Sequence, residues 1–263
     1  MKSPSKALRK SNANAALEVH KFGGASLADA AAYRHAAQII KGRGAPCVVV
    51  VSAPAGVTDV LLGLARRAAA GEQEGLERDT EALRTRYRDI ARVAVGSESA
   101  AAAVVAEIEA SLDELSRLLS SLVVLKELTA RTSDFIAARG ERLSAQIFVA
   151  TYAATVGRAR YVDALEVIFT DGPFGGASPN LALTDLAARK VLRPLAEAGV
   201  VPVVPGFIGV AGPDEAAHGT KPDAKTSDVS VATLGRGGSD LTATLLGRAL
   251  GAKDVSLWKD VSG

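Results

Sequence analysis

The sequence predicts an α/β fold, a mainly parallel open sheet sandwiched by helices. Three observations carry that expectation. The run CVVVV at 47–51 is continuously apolar and rich in valine, as in a strand buried on both faces of a sheet. Strand-like and helix-like segments alternate from Leu17 to Gly71, which is the order of a βαβ unit with a right-handed crossover. Glycine-rich turns follow strand-like segments near both ends of the chain, and ligands of open parallel sheets bind at strand carboxyl ends.

The elements follow in order. LEVHKF (17–22) reads as a strand ended by Gly23 and Gly24. A helix over 26–44 has Ser26 as its expected cap and Gly42 and Gly44 as its stop. PCVVVVSAP is the second strand, and AGVTDVLLGLARRAAAG the second helix. From Glu72 to Leu128 the pattern is helical and laced with charges that form solvated faces. Residues 132–157 are mostly helical, with a turn expected at Gly140. Short strands are expected at RARYVDA and EVIFT, then a loop at DGPFGGASPN. TDLAARKVLRPLAEAG is a helix that Pro194 kinks or restarts, and VVPVVPGFIGVAG is a strand interrupted by prolines. The polar stretch 212–228, flanked by GFIGVAG and VSVATLG, predicts a hairpin with a long solvated tip of unassigned role. RGGSDLTATLLGRALGA is a glycine turn opening a helix, and DVSLW begins a last strand.

Composition narrows the function. The chain has 263 residues, 48% hydrophobic and 23% charged, with a net charge of +2. No basic field attracts nucleic acid or an anionic membrane, and no apolar run is long enough to span a bilayer. The lone cysteine, Cys47, reads as a small buried hydrophobe, and a reducing, cytoplasmic setting is expected. Residues 1–16 are polar and basic, without a signal peptide's apolar core, and read as a disordered leader. His20, His35 and His218 are scattered without metal-ligand spacing, and no catalytic role is assigned to them.

The chemistry concentrates in two glycine turns. LGRGGSDLTATLLG (234–247) places Arg236 among three glycines, with Ser239 and Asp240 opening a helix. Free N–H groups and the positive end of the helix dipole make such a turn a site for phosphate or carboxylate. Its plainer reading is a capped turn, with Asp240 as N-cap and Arg236 on the surface. KFGG (21–24) has the plainer reading of a tight turn with a solvated lysine. Together, two such turns at strand ends converge on one crevice, in which Lys21 is expected to be exposed. Neither a P-loop nor a dinucleotide fingerprint is present. Ser52 and Thr58 stand at another strand end, where turn and capping chemistry is the simpler role. Glu141 alone reads as a first-turn carboxylate favouring the helix dipole.

Six segments in order, KFGGAS, VVVVSAPAGVTD, RGERLSA, VPVVPGFIG, TLGRGGSDLTA and LWKDVSG, resemble the aspartate kinases of the amino acid kinase superfamily, from Leu17 to Gly263. The last segment is similar to the WKDV form of some bifunctional or plant-like members. The resemblance implies an amino acid kinase fold, incomplete at the C-terminus, with residues 17–263 as a partial catalytic domain. It implies transfer of phosphate from ATP, with nucleotide-bound Mg²⁺, to the side-chain carboxylate of L-aspartate, the first step toward lysine, threonine and methionine.

Residue by residue, it implies that Lys21 contacts phosphates and that Asp240 orients that lysine or the substrate amine. Phe22, Gly23, Gly24, Gly237, Gly238, Lys259 and Asp260 would bind nucleotide. Arg236 would grip the substrate α-carboxylate and Glu141 its ammonium, with Ser52, Thr58, Phe207 and Ser239 lining the aspartate site. A carboxylate nucleophile is already ionised at neutral pH, so no general base is needed. The resemblance also implies that full-length relatives carry a further nucleotide-binding segment and C-terminal regulatory domains, and that they form homo-oligomers through those regulatory domains. Glutamate or acetylglutamate kinase activity, and an aspartate-binding fragment without turnover, remain open alternatives.

Overall fold

The computed structural model describes residues 16–212 and 230–259. A five-stranded sheet has the order β3-β4-β2-β1-β7, and every pairing in it is parallel. Its strands are β1 (Glu18–Phe22), β2 (Cys47–Val51), β3 (Ala159–Tyr161), β4 (Val201–Pro205) and β7 (Asp254–Trp258). β1 and β2 are buried at every position, as continuous apolar runs of a covered parallel sheet require.

Alternation along these strands feeds two cores. Phe22, Val49 and Val51 point toward α1 (Ala30–Arg43), α2 (Val57–Ala69), α3 (Leu76–Val95), α4 (Glu98–Leu125) and α5 (Ala130–Thr155). Val19, Val48 and Val50 point the other way, toward α6 (Leu181–Glu197) and α7 (Gly238–Leu250). A small antiparallel pair, β5 (Ile208–Val210) with β6 (Val231–Thr233), stands apart from the main sheet. No helix among the described residues is long and apolar enough to cross a membrane.

Several sequence expectations are corrected. Ser26 does not cap α1; it lies in a 3₁₀ turn and donates to the Trp258 carbonyl at 3.2 Å. The cap is Asp29, whose side chain accepts from the Ala32 N–H at 2.9 Å. Gly140 marks no turn, because α5 runs through it without a break. EVIFT forms no strand: a 3₁₀ turn occupies 164–166, and Phe169 and Thr170 make only isolated bridges. VVPVVPGFIGVAG is not one strand, since it divides between the two sheets at Gly206 and Phe207. Pro194 does not restart α6, which runs through it from Leu181 to Glu197. The hairpin stems are β5 and β6; the expected tip, the leader and Asp260 fall outside the described residues, apart from the ends of those stretches.

Candidate active site

At the carboxyl ends of β1, β2 and β4 lies a cavity of about 260 Å³. Lys21 comes from β1, Ser52 from the β2–α2 connection, Thr58 from the first turn of α2, Glu141 from α5 and Phe207 from just beyond β4. The turn 235–240 closes it. The volume is at the scale of a small metabolite, below the roughly 300–1,000 Å³ of pockets for drug-sized ligands.

Lys21 is buried rather than exposed as the sequence suggested, with 6% relative exposure. It shares the face of Val19, the α6–α7 side, on a strand with neighbours on both flanks. A buried ammonium needs a counter-charge. Asp240 supplies it, with Oδ1 2.6 Å from Lys21 Nζ, and its Oδ2 lies 3.4 Å from Lys259 Nζ. Burial pushes the Asp240 carboxyl up, but hydrogen bonding and charge from Lys21, then Lys259, hold it below the usual carboxylate range. Asp240 stands in the first turn of α7, where the helix dipole also favours an anion. It is not the N-cap, a position held by Gly237.

The Arg236 turn requires its glycines. Gly235 and Gly237 have φ of 72° and 75°, a region that costs an ordinary residue about 1–2 kcal/mol. A Cβ on Gly238 would meet Phe207 Cδ2 at 2.8 Å, and one on Gly206 would meet Ser239 Cβ at 2.7 Å. Phe207 itself has φ 72° without being glycine. The surroundings hold it there: its N–H donates to Thr242 Oγ1 at 3.1 Å, and its carbonyl accepts from Leu234 N–H at 2.8 Å. Such strain at a cavity wall is characteristic of functional sites.

Glu141 reaches the cavity because α5 approaches the β2–α2 connection closely. A Cβ on Gly140 would lie 2.8 Å from Ala53 Cβ, so only glycine permits that approach. From the other side, Tyr87 of α3 donates its hydroxyl to the Gly140 carbonyl at 3.0 Å. Glu141 is therefore no exposed first-turn acid; it is 3% exposed, in mid-helix. Its Oε2 has no hydrogen-bond partner. Burial pushes its carboxyl up to about 7, offset only in part by hydrogen bonds from the backbone at 141 and 53. A buried acceptor without a donor is poised for a cationic ligand group.

Not every expected residue is brought together. Phe22 is 1% exposed and stacks on Phe148 and Trp258, so its side chain belongs to the core and not to a nucleotide site. Gly23 and Gly24 do not line the cavity. The Gly23 N–H, expected to meet phosphate, is already donated to the Trp258 carbonyl at 3.1 Å. Gly24 serves contact between loops, since a Cβ there would stand 2.7 Å from the Ala53 carbonyl oxygen. Lys259 is exposed at the edge of the site and touches it through Asp240. Gly235 lines the cavity without having been singled out, although it belongs to the same glycine motif. Tyr87 and Thr242 act through non-local contacts for which the sequence holds no signal.

The model of the amino acid kinase family matches residues 16–263. Aspartokinase 3, chloroplastic, of Arabidopsis thaliana is 35% identical over 250 residues, covering 93% of this chain and 41% of that protein. Lysine-sensitive aspartokinase 3 of Escherichia coli strain K12 is 33% identical over 257 residues, covering 93% of this chain and 49% of that protein. Among solved structures, E. coli aspartokinase III in complex with aspartate and ADP superposes with a TM-score of 0.77 at 30% identity. That match covers 94% of this chain and 50% of the other. The chain thus spans half or less of the length of these relatives.

Proposed function

The chain belongs to the amino acid kinase family, and from that premise we propose that it serves ATP-dependent phosphorylation of the L-aspartate side-chain carboxylate, giving 4-phospho-L-aspartate. One observation carries the reading. A single small cavity is lined by Glu141, a buried carboxylate with one unpartnered oxygen, by Arg236, and by Lys21 in its ion pair with Asp240. An amino acid substrate needs an anion for its ammonium and a cation for its α-carboxylate. Glu141 and Arg236 supply one of each, and Lys21 remains for the phosphoryl group. The E. coli relative bound aspartate and ADP, as its complex records.

The residues present suit a nucleotide's phosphates. Lys21 and Lys259 both lean on Asp240, and the N-terminus of α7, which no side chain caps, lies beside them. When bound, ATP with its Mg²⁺ supplies the phosphoryl group. The chain's own part is to bind and to neutralise charge. Arg236, with its planar fork, clamps the α-carboxylate in bidentate fashion. Glu141, once ionised, accepts from the ammonium and so points the side-chain carboxylate toward Lys21. Lys21 neutralises charge that develops during transfer, and Asp240 keeps it aimed. Ser52, Thr58 and Ser239 donate to the substrate and Phe207 walls it in. No residue removes a proton, because the nucleophile is already an anion. The reaction would feed synthesis of lysine, threonine and methionine in a reducing compartment.

Hydroxylamine trapping tests this directly. The chain incubated with Mg·ATP, hydroxylamine and L-aspartate should give the aspartate hydroxamate. Hydroxamate from glutamate alone would overturn the choice of substrate. Aspartate binding by calorimetry with no trapped product would reduce the reading to an aspartate-binding unit.

A further inference from the structure

Asp134 lies outside the cavity and touches none of the groups assigned to substrate. It is 4% exposed on α5, roughly two helical turns before Glu141. Its carboxylate is fully engaged, and by a single neighbourhood. Oδ2 accepts from the Thr233 N–H at 2.9 Å and from the Gly175 N–H at 2.8 Å. Oδ1 accepts from the Thr233 hydroxyl at 2.8 Å.

Thr233 ends β6, and the Gly235–Arg236 turn begins immediately beyond it. The Thr233 carbonyl accepts from Ala177 N–H at 2.8 Å, which draws the 171–180 loop into the same cluster. Through that loop Gly176 comes to rest against Gly235, whose Cβ position would be 3.6 Å from Gly176 Cα. One carboxylate therefore ties the helix that carries Glu141 to the strand and loop that hold Arg236. A buried charge that meets three donors has little freedom to slip, and each bond is charge-assisted.

We propose that Asp134 is a positioning residue that sets the spacing between Glu141 and Arg236, and thereby the selectivity for a ligand with an ammonium and a carboxylate on one carbon. The inference rests on the aspartate reading above. Thr233 is its working partner. The Thr233 hydroxyl and N–H stiffen β6 at the point where the chain leaves the small sheet for the glycine turn. Without them, Arg236 keeps its charge but loses its distance from the anion on α5. A rigid two-point reading of the α-groups becomes two independent contacts, and effective concentration is lost.

The test uses the full chain and L-aspartate, with succinate, which lacks the amine, as the discriminating probe, and ATP as an internal control. In Asp134→Asn one acceptor oxygen becomes a donor facing other donors. Aspartate affinity by calorimetry should fall about tenfold or more, while the preference of aspartate over succinate shrinks and ATP affinity stays within about twofold. Deuterium exchange of the 233–238 amides should quicken. Thr233→Val keeps the backbone bond and should shift aspartate affinity the same way by about threefold, whereas Thr233→Ser, retaining the hydroxyl, should restore it.

If Asp134→Asn fails to fold, the Val and Ser pair at 233 decides. Variants with a lower melting temperature but unchanged selectivity and unchanged exchange at 233–238 would overturn the positioning role. Unaltered chain that binds no aspartate would instead remove the functional reading, and this inference with it; exchange data separate that outcome from a failure of the Asp134 contact.

Discussion

The two glycine turns flanking the cavity are alike in composition and opposite in physics. At the first, Gly24 is glycine because of contact: a side chain would strike the Ala53 carbonyl 2.7 Å away. Its backbone has φ −60°, open to any residue. At the second, Gly237 is glycine because of conformation: φ is 75°, and a Cβ there would meet nothing within 4 Å. The first turn faces inward, spends the Gly23 N–H on Trp258, and leaves the strand-borne Lys21 as its contribution to the site. The second opens onto the cavity with an exposed arginine and a helix terminus that no side chain caps. A glycine in a motif thus carries two distinct messages, close approach or left-handed backbone, and here only the left-handed turn lines the cavity.

The sharpest way to separate the turns is to remove the charge each one contributes. Lys21→Ala should lower phosphoryl transfer by about 100- to 1,000-fold, as for loss of one charge-stabilising donor, while leaving aspartate affinity close to its starting value. Equal turnover in that variant would break the division of labour. Arg236→Ala should do the reverse, weakening aspartate binding by roughly 10- to 150-fold through about 1.5–3 kcal/mol of charge-assisted bonding. An unchanged aspartate titration would remove Arg236 from the site.

Glu141, opposite both turns, gives a pH-dependent contrast of similar size. Its folded carboxyl is raised from 4.5 to about 7, so the unfolded chain ionises first as pH rises. Stability contributed by this group is therefore present at pH 4 and lost progressively between about 4.5 and 7, by up to roughly 3 kcal/mol. Glu141→Gln should lack that loss. The difference between urea melts of the two proteins at pH 5 and pH 8 measures it, because other titrations are common to both. Parallel pH profiles would show that Glu141 is already ionised in the folded chain. Aspartate should also bind more tightly to the unaltered chain at pH 8 than at pH 6, as the carboxylate forms to receive the ammonium.

The smaller effects test the glycines themselves. Gly24→Ala should cost about 1–3 kcal/mol, because rigid backbone must move. Gly237→Ala should cost about 1 kcal/mol for the left-handed conformation alone, and Gly237→Asn less, since asparagine visits that region readily. Equal penalties for Ala and Asn at 237 would contradict a purely conformational role.

Much of this architecture was legible in advance. The apolar run at 47–51 and the alternation around it marked a covered parallel sheet, and the five-stranded sheet is parallel throughout. Ser52, Thr58, Glu141, Phe207, Arg236, Ser239 and Asp240 were named through the family resemblance that the short motifs carry, and all line the same cavity. EVIFT misled because its apolar residues pack beneath the small sheet rather than pairing in a ladder. Gly140 misled because a glycine that permits close helix packing looks, in sequence, like a glycine that ends a helix. Asp134 gave no signal, since its partners lie 41 and 99 residues further along the chain.

By itself, the sequence determined what local repetition encodes: the central strands at 18–22 and 47–51, most of the helices, and the charges that stand at the ends of those strands. Periodicity and turn chemistry act over a few neighbouring residues and need no knowledge of the rest. Only the tertiary structure decided that Lys21 is buried against Asp240, that Glu141 is a mid-helix acid whose carboxyl burial pushes up to about 7, and that Asp134 ties α5 to the end of β6 and the 171–180 loop. Each of those properties is the free energy of a charge in a particular environment, and the environment is built by chain segments far apart in sequence.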